Sequence, residues 1–270
     1  MTLPGGIMRD GQRLRDCRFK TLTGGDELAI AEAFVADDRV PQRITAILTA
    51  VLDTLGGSPA TIEGVRALAV GDRQFLMQQL VALLDTETGW MTADCQHCGE
   101  PFDFAMRFGE LPCKPAGEGF PNVIVDGARY RVPSGGDQEV LAAEGLEGEA
   151  ARRRVVALCL VDSKMLVDVG QLEEADLARV DAALEAVSPE AVTETSLDCP
   201  SCGRTCRVDL GIDTMPLPRP DTLYQEVHRI ASTYHWSEDA ILALPRGRRQ
   251  RYLALIARDA APARMMRQSA

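Results

Sequence analysis

Residues 95–99, Cys95-Gln96-His97-Cys98-Gly99, and residues 199–203, Cys199-Pro200-Ser201-Cys202-Gly203, decide how this chain is read. Each offers two thiols across a two-residue gap, and one tight turn can aim both at the same cation. The glycine that follows lets the backbone turn so that its N–H groups face the sulfurs. Each stretch is therefore half of a tetrahedral four-thiolate site. Two such halves leave no coordination position for water, so a metal held there ties chain to chain and activates no nucleophile. The expected ligands are Cys95, Cys98, Cys199 and Cys202, and the expected ion is a structural Zn2+. The alternative is a pair of turns without metal. His97, inside the first turn, and Cys113 and Cys206, close to the two turns, are the alternative ligands. Cys17 and Cys159 stand among apolar residues and read as buried thiols.

The compartment decides between metal and disulfide. The N-terminal stretch "MTLPGGIMRDGQRLRDC" lacks the apolar centre of a secretory signal. No apolar run reaches the roughly 18 residues that a membrane span needs. The expectation is a cytoplasmic protein with no membrane partner, where paired Cys-x-x-Cys motifs are metal ligands rather than disulfides. The net charge of −11 is unevenly spread. Residues 245–270 hold seven arginines (246, 248, 249, 251, 258, 264 and 267) against one acid, Asp259. That is a local +6, so the remainder carries −17. An acidic body disfavours general nucleic-acid binding, because phosphates would be repelled.

Periodicity places the motifs. A strand over Leu14–Lys20 leads to "TLTGGDELAIAEAF", where Thr23 or the glycine pair starts a helix with Asp26 and Glu27 in its first turn. Val40, Ile44, Ile47, Leu48, Val51 and Leu55 fall at helical spacing, with Gly56-Gly57 ending the run. Phe75, Leu76, Leu80 and Leu83-Leu84 repeat the pattern. Around the first knuckle the period changes to strand spacing at Phe102, Phe104, Met106 and Phe108. After the second knuckle Cys206, Val208, Leu210 and Ile212 alternate in the same way.

The chain also repeats itself. "DGQRLRDCRFKTLTGGDELAIAEA" and "DGARYRVPSGGDQEVLAAEG" both run Asp-Gly, a short basic strand, Gly-Gly-Asp, then a helix rich in alanine and acids. An apolar segment and a cysteine knuckle follow in each. The spacing from Asp26 to Cys95 is 69 and from Asp137 to Cys199 is 62. The expected fold is α+β and mainly helical: an internally duplicated module with a zinc-ribbon-like pair of β-hairpins and a C-terminal helical segment. The copies span 1–112 and 113–213, a proline-rich linker spans 214–221, and a docking segment spans 222–270.

In that last segment Leu223, Val227, Ile230, Ala231 and Tyr234 form one helix face, and Ser237 caps the next helix. Trp236, Leu242, Leu244 and Tyr252, with Arg248, Arg249 and Arg251, are too apolar and too basic for so short a piece to stand alone. They are the candidate partner-binding residues. The arginines suit a nucleic acid or an acidic protein surface, the chain's own body included. His228 and His235 share a helix face but lack a third metal ligand, so they read as packing and capping groups. The sequence has no Gly-x-Ser-x-Gly, His-Glu-x-x-His or Walker loop. Neither Cys-x-x-Cys follows a strand and opens a helix, as a thioredoxin-like site requires. Acidic runs such as Glu173-Glu174 with Asp176 read as solvated helix faces. An enzyme and a small-molecule substrate are not expected.

The run "VRALAVGDRQFLMQQLVALLDTETGWMTADCQHCGEPFDFAM" (65–106) resembles the baseplate-hub assembly protein family of T4-type contractile-tailed phages, also found with phage-derived contractile injection systems. In that family a helix, a D-x-x-F/Y-L segment and a strand lead into Cys-x-x-Cys. Asp72, Phe75 and Leu76 before Cys95 and Cys98 match it. "YHWSEDAILALPRGRRQRYL" (234–253) resembles the W-S-x-x-x-I/V-L-x-L-P helical motif of tail-assembly chaperone-like proteins, through Trp236, Ser237, Ile241, Leu242, Leu244 and Pro245. The resemblance implies a role without catalysis in building a tail hub or baseplate, with hub or tail-tube proteins as partners. The duplication and the acidic body depart from the family's pattern. The rival reading is a zinc-ribbon nucleic-acid binder working through the arginine-rich helices.

Overall fold

The structure, a computed structural model, describes residues 1–84, 89–163 and 169–267, apart from the side chains of residue 163 and residues 260–267. It is α+β: ten helices and several small antiparallel sheets stand among the described residues. No described helix is long and apolar enough to cross a membrane.

The chain opens with a hairpin of β1 (Thr2–Arg9) and β2 (Gln12–Phe19). Asp10 and Gly11 turn it with φ of 50° and 74°, the left-handed pair that matches the twist of two strands. α1 (Gly24–Ala36) starts in a capping box: the Thr23 hydroxyl accepts from Asp26 N–H, and the Asp26 carboxylate accepts from Thr23 N–H. α2 (Val40–Val51) has a proline in its first turn and buries Ile44, Ile47, Leu48 and Val51. The helix expected to continue to Leu55 stops at Val51. Leu52–Leu55 is strand β3, paired with β2, and Gly56-Gly57 turns it into β4 (Ser58–Pro59) rather than ending a helix. Leu52 and Leu55 are both buried at a spacing of three, which suits a helix but not regular strand alternation, and the register of β3 against β2 shifts between them. Pairing with the otherwise open edge of β2 decides the outcome.

α3 (Ile62–Ala67), capped by Thr61, and α4 (Val70–Leu84) follow. Leu76, Leu80 and Leu84 are buried as their spacing implies, whereas Leu83 is exposed. β5 (Gly89–Asp94) and β6 (Pro101–Met106) form the first knuckle's hairpin. The second half runs β7 (Cys113–Lys114), β8 (Asn122–Val125), β9 (Ala128–Arg131), α5 (Gly135–Glu144), α6 (Gly148–Cys159), β10 (Leu160–Ser163) and α7 (Glu174–Val187). β11 (Glu190–Ala191) pairs with β7, and β12 (Glu194–Asp198) with β13 (Thr205–Asp209). Both halves thus contain a hairpin, a box-capped helix, a second helix and a strand that returns to the hairpin. The turn at Asp126-Gly127 has φ of 51° and 79°, and Ser134 and Asp137 close a second capping box. The chain ends in α8 (Pro220–Tyr234), α9 (Glu238–Leu242) and α10 (Arg246–Arg267).

Among the described residues, three apolar clusters hold these elements. The first joins Leu3, Ile30, Leu48 and Leu80 to Phe102 and Phe104, and also takes in Cys206, Val208, Leu210 and Ile212 from far down the chain. The second holds Tyr130, Val156, Leu177, Val180 and Leu184. The third is small and wholly C-terminal: Val227, Ile230, Ile241 and Leu253. The hairpin β12–β13 therefore leaves its sequence neighbours and completes the first core.

One buried carboxylate seats the N-terminal strand. Pro4-Gly5-Gly6 breaks the register of β1, and its freed Gly5 and Gly6 N–H groups donate to Asp72 at 2.6 and 2.8 Å. Asp72, in the first turn of α4, is fully buried. Burial pushes its pKa up to about 6, against the pull of those two N–H groups and of Arg13 and Arg15. Asp72→Ala leaves both donors without an acceptor, at about 1–3 kcal/mol each, read as a lower urea midpoint at constant slope. The folded state holds the Asp72 proton more tightly than the unfolded chain does. Its stabilising contribution is therefore full below the unfolded pKa and is lost as pH rises through the folded value. The stability advantage of wild type over the variant should shrink by about 2 kcal/mol from pH 4 to pH 7, measured on both proteins in the same buffers.

Candidate metal centre

Each knuckle is the tip of a hairpin. β5–β6 closes at the pair Asp94–Pro101, and β12–β13 closes at Asp198–Thr205. Cys95 N–H then donates to Glu100 O at 3.0 Å, and Gly99 N–H to Cys95 O at 2.9 Å. In the second turn Cys199 N–H donates to Arg204 O at 2.9 Å, and Gly203 N–H to Cys199 O at 2.8 Å. Gly99 and Gly203 have φ of 76° and 69°, where a side chain would strain the backbone. The same local structure occurs twice because the same residue types occur at the same steps.

The two tips face each other. The sulfurs of Cys95, Cys98, Cys199 and Cys202 all lie within 4.8 Å of one another. Cys95 Sγ is 3.6 Å from Cys202 Sγ, and Cys98 Sγ is 3.8 Å from Cys199 Sγ. A tetrahedron with metal–sulfur bonds of about 2.3 Å has edges of about 3.8 Å, so the four sulfurs fit around one ion. Cys95 and Cys199 are buried while Cys98 and Cys202 are exposed, which places the centre at the rim of the first core. The set can bind a metal through four sulfurs, and both hairpins contribute two.

The surrounding groups favour a negative sulfur at Cys95 and oppose one at Cys98. His97 N–H donates to Cys95 Sγ at 3.4 Å. Burial opposes ionisation of Cys95, but the N–H groups of His97 and Cys98 and the thiols of Cys206 and Cys98 together bring its pKa down. Cys98 goes the other way: the Glu100 N–H lowers its pKa, but the neighbouring sulfurs of Cys95, Cys202 and Cys199, together with burial, outweigh it. Crowded sulfurs resist a second and third negative charge unless a cation joins them.

The other sequence candidates fall into place around this centre. The His97 ring is outside the four-sulfur group and donates from Nε2 to Thr205 O at 3.2 Å, while Gln96 Nε2 donates to Arg207 O at 3.0 Å. Both side chains clip the first tip onto β13. Cys113 lies in β7, with its sulfur toward Lys114 O. Cys206 is buried beside the centre, and its thiol donates to Cys95 Sγ at 3.4 Å. Cys17 and Cys159 are buried, and burial pushes their thiols up to about 11 and about 12.

The C-terminal candidates split into two groups. Trp236, Tyr234 and Tyr252 form one aromatic cluster with centroids 5.0 to 5.5 Å apart. Arg248 and Arg251 are exposed, and Leu242 and Leu244 are half-buried. Arg249, by contrast, is fully buried, 2.9 Å from Glu27 and 3.2 Å from Glu226. Arg246 joins Glu27 at 2.8 Å. Of the acidic surfaces open to the arginines, the chain's own body takes these two. Glu27 was visible in the sequence only as a first-turn acid. Its burial depends on a residue 222 positions away. His235 caps α8 in the left-handed conformation, as a capping group should. Comparison with models of known protein families, with curated proteins and with solved structures found no match for this chain.

Cys95→Ser and Cys199→Ser should each abolish stoichiometric metal binding, measured by elemental analysis of the purified protein. Both should also unfold at lower temperature, because the lost ion joins two hairpins of one core. Cys113→Ser should keep its metal.

Proposed function

We propose that the four-cysteine centre holds Zn2+ as a structural tie and that the two halves are copies of one duplicated module meeting through zinc-ribbon-like hairpins. On this reading the chain is a non-enzymatic assembly factor or structural component of the baseplate or hub of a contractile phage tail or phage-derived contractile injection system. The observation that carries the structural part is the closure of the site. Four thiolates from two tips fill a tetrahedron, so no position remains for a substrate or an activated water. Thiolate softness and tetrahedral geometry favour zinc among common divalent ions. Duplication is supported by the matched order of elements, the two left-handed Asp-Gly turns and the two capping boxes with a Gly-Gly-Asp start. The setting rests on the resemblance of residues 65–106 and 234–253 to tail-assembly proteins.

The nucleic-acid reading has less support. Arg246 and Arg249 are neutralised by Glu27 and Glu226, which leaves a smaller basic surface on an acidic body. The test is to mix the full chain with the hub, tube and sheath proteins of a contractile tail. Co-elution of a defined complex free of nucleic acid is the expected result. Failure to retain any of them, together with DNA or RNA binding that weakens steeply with salt, would replace this reading with the nucleic-acid one.

A further inference from the structure

Arg249 and Arg73 are large side chains buried at matching places. Leu244-Pro245-Arg246-Gly247-Arg248-Arg249-Gln250 and Leu68-Ala69-Val70-Gly71-Asp72-Arg73-Gln74 share the pattern Leu-x-x-Gly-x-Arg-Gln. Each segment follows a short capped helix, α9 behind Ser237 and α3 behind Thr61. Each opens a longer helix, α10 or α4, and each unit begins with a helix bearing a proline in its first turn, α8 or α2.

The surfaces they cover match as well. Gly24 N–H donates to Leu244 O at 3.1 Å, and Gly135 N–H donates to Leu68 O at 3.0 Å. Thr23 bridges to Pro245, and Ser134 bridges to Ala69. A Cβ on Gly24 would come within 2.7 Å of Arg249 Nη1, and one on Gly135 would overlap the Arg73 guanidinium. The first glycine of each Gly-Gly-Asp start is there so that an arginine can lie against the helix. One docking geometry therefore occurs twice: a three-helix unit ending in Leu-x-x-Gly-x-Arg-Gln covers the first turn of a helix that starts Ser/Thr-Gly-Gly-Asp.

The two instances differ in how firmly they are built in. In α2–α4, Asp72 also holds β1, and Gly71 packs against the backbone at Pro189. In α8–α10 the core is the unit's own, and the proline-bearing stretch 214–219 joins it to the body. Clefts of about 620 and about 340 Å3, both lined by Glu27 and Arg246, flank its seam with the body. The seam is also selective. Glu27 sits one step after Asp26 and accepts both arginines, whereas the matching position in α5 is Gln138. On α5 Arg246 and Arg249 would lose the Glu27 carboxylate, and a buried charge without its partner is strongly disfavoured, so the α8–α10 unit fits α1 and not α5.

We propose that the α8–α10 unit is an exchangeable ligand for the start of α1, and that it docks in trans on a second copy of this chain, Arg249 of one copy on Glu27 of the other. The contacts are the same in cis and in trans, so the tether and the local concentration decide between them. A high local concentration of copies favours the exchanged form. This inference does not rest on the tail-assembly reading.

Two full-length variants test it. Gly24→Leu blocks the start of α1 and leaves the unit intact. Arg249→Leu disables the unit and leaves the start of α1 open. Neither can pair with itself, but the unit of the first can dock on the α1 of the second. Each alone should retain its metal, have a larger radius of gyration than wild type by small-angle scattering, and remain a monomer by light scattering. Mixed at equal concentration they should form a 1:1 dimer of twice the 29.3 kDa chain mass. Adding Glu27→Gln to the Arg249→Leu chain should weaken that dimer at least tenfold. Two outcomes overturn the proposal: variants that release the unit yet stay monomeric on mixing, and variants whose radius of gyration stays that of wild type. If either variant loses its metal, Gly24→Thr and Arg249→Gln replace them with the same readouts.

Discussion

Four sulfurs at the tips of two hairpins are the contact on which the arrangement of the body depends. Cys98 and Cys199 are 101 positions apart, yet their sulfurs are 3.8 Å apart. Holding them there pulls β12–β13 away from the elements that precede it. That in turn supplies Cys206, Val208, Leu210 and Ile212 to the core built by the first half. The clips from Gln96 and His97 to the backbone of β13 reinforce the same junction. Without the hairpin from the far end, Phe102 and Phe104 would lose the apolar groups that cover them, and the first core would open toward water.

A second constraint is buried charge at the seams. Asp72, Arg73, Glu27 and Arg249 are all buried, and all lie where one structural unit meets another. Asp72 accepts from two glycine N–H groups of β1. Arg73 donates to Thr45 Oγ1 and to the carbonyls of Val65 and Pro41. Its Nε has no partner among the described groups. Such groups add little net stability compared with apolar packing, but each tolerates only one mate and one register. The apolar clusters decide that the elements collapse, and the buried charges decide which surface meets which.

Much of this was legible locally. Thr23 and Ser237 announced their helix starts, and Cys95, Cys98, Cys199 and Cys202 announced the centre, because capping and chelation depend on residues a few positions apart. β1 was not legible. Pro4-Gly5-Gly6 spoils strand alternation, and the strand persists only because a distant aspartate receives the N–H groups of its bulge. Leu52–Leu55 read as helix because Leu55 continues the helical spacing of Ile44, Ile47, Leu48 and Val51, and a pairing partner some 35 residues upstream overrode that signal. Arg249 read only as one of several partner-binding arginines, the chain's own body among the surfaces they could meet. Charge signals exposure until a partner 222 residues away supplies the counter-charge and removes the water.

The long loop closed by the sulfurs also constrains the order of synthesis. A nascent chain presents Cys95 and Cys98 first, and the ribosome must add about a hundred further residues, roughly 5–20 s of elongation, before Cys199 and Cys202 emerge. Throughout that interval the first hairpin carries two unclosed thiols and an uncovered aromatic face. The first half must therefore wait in a half-built state, open to chaperones and to oxidation, until translation delivers its counterpart.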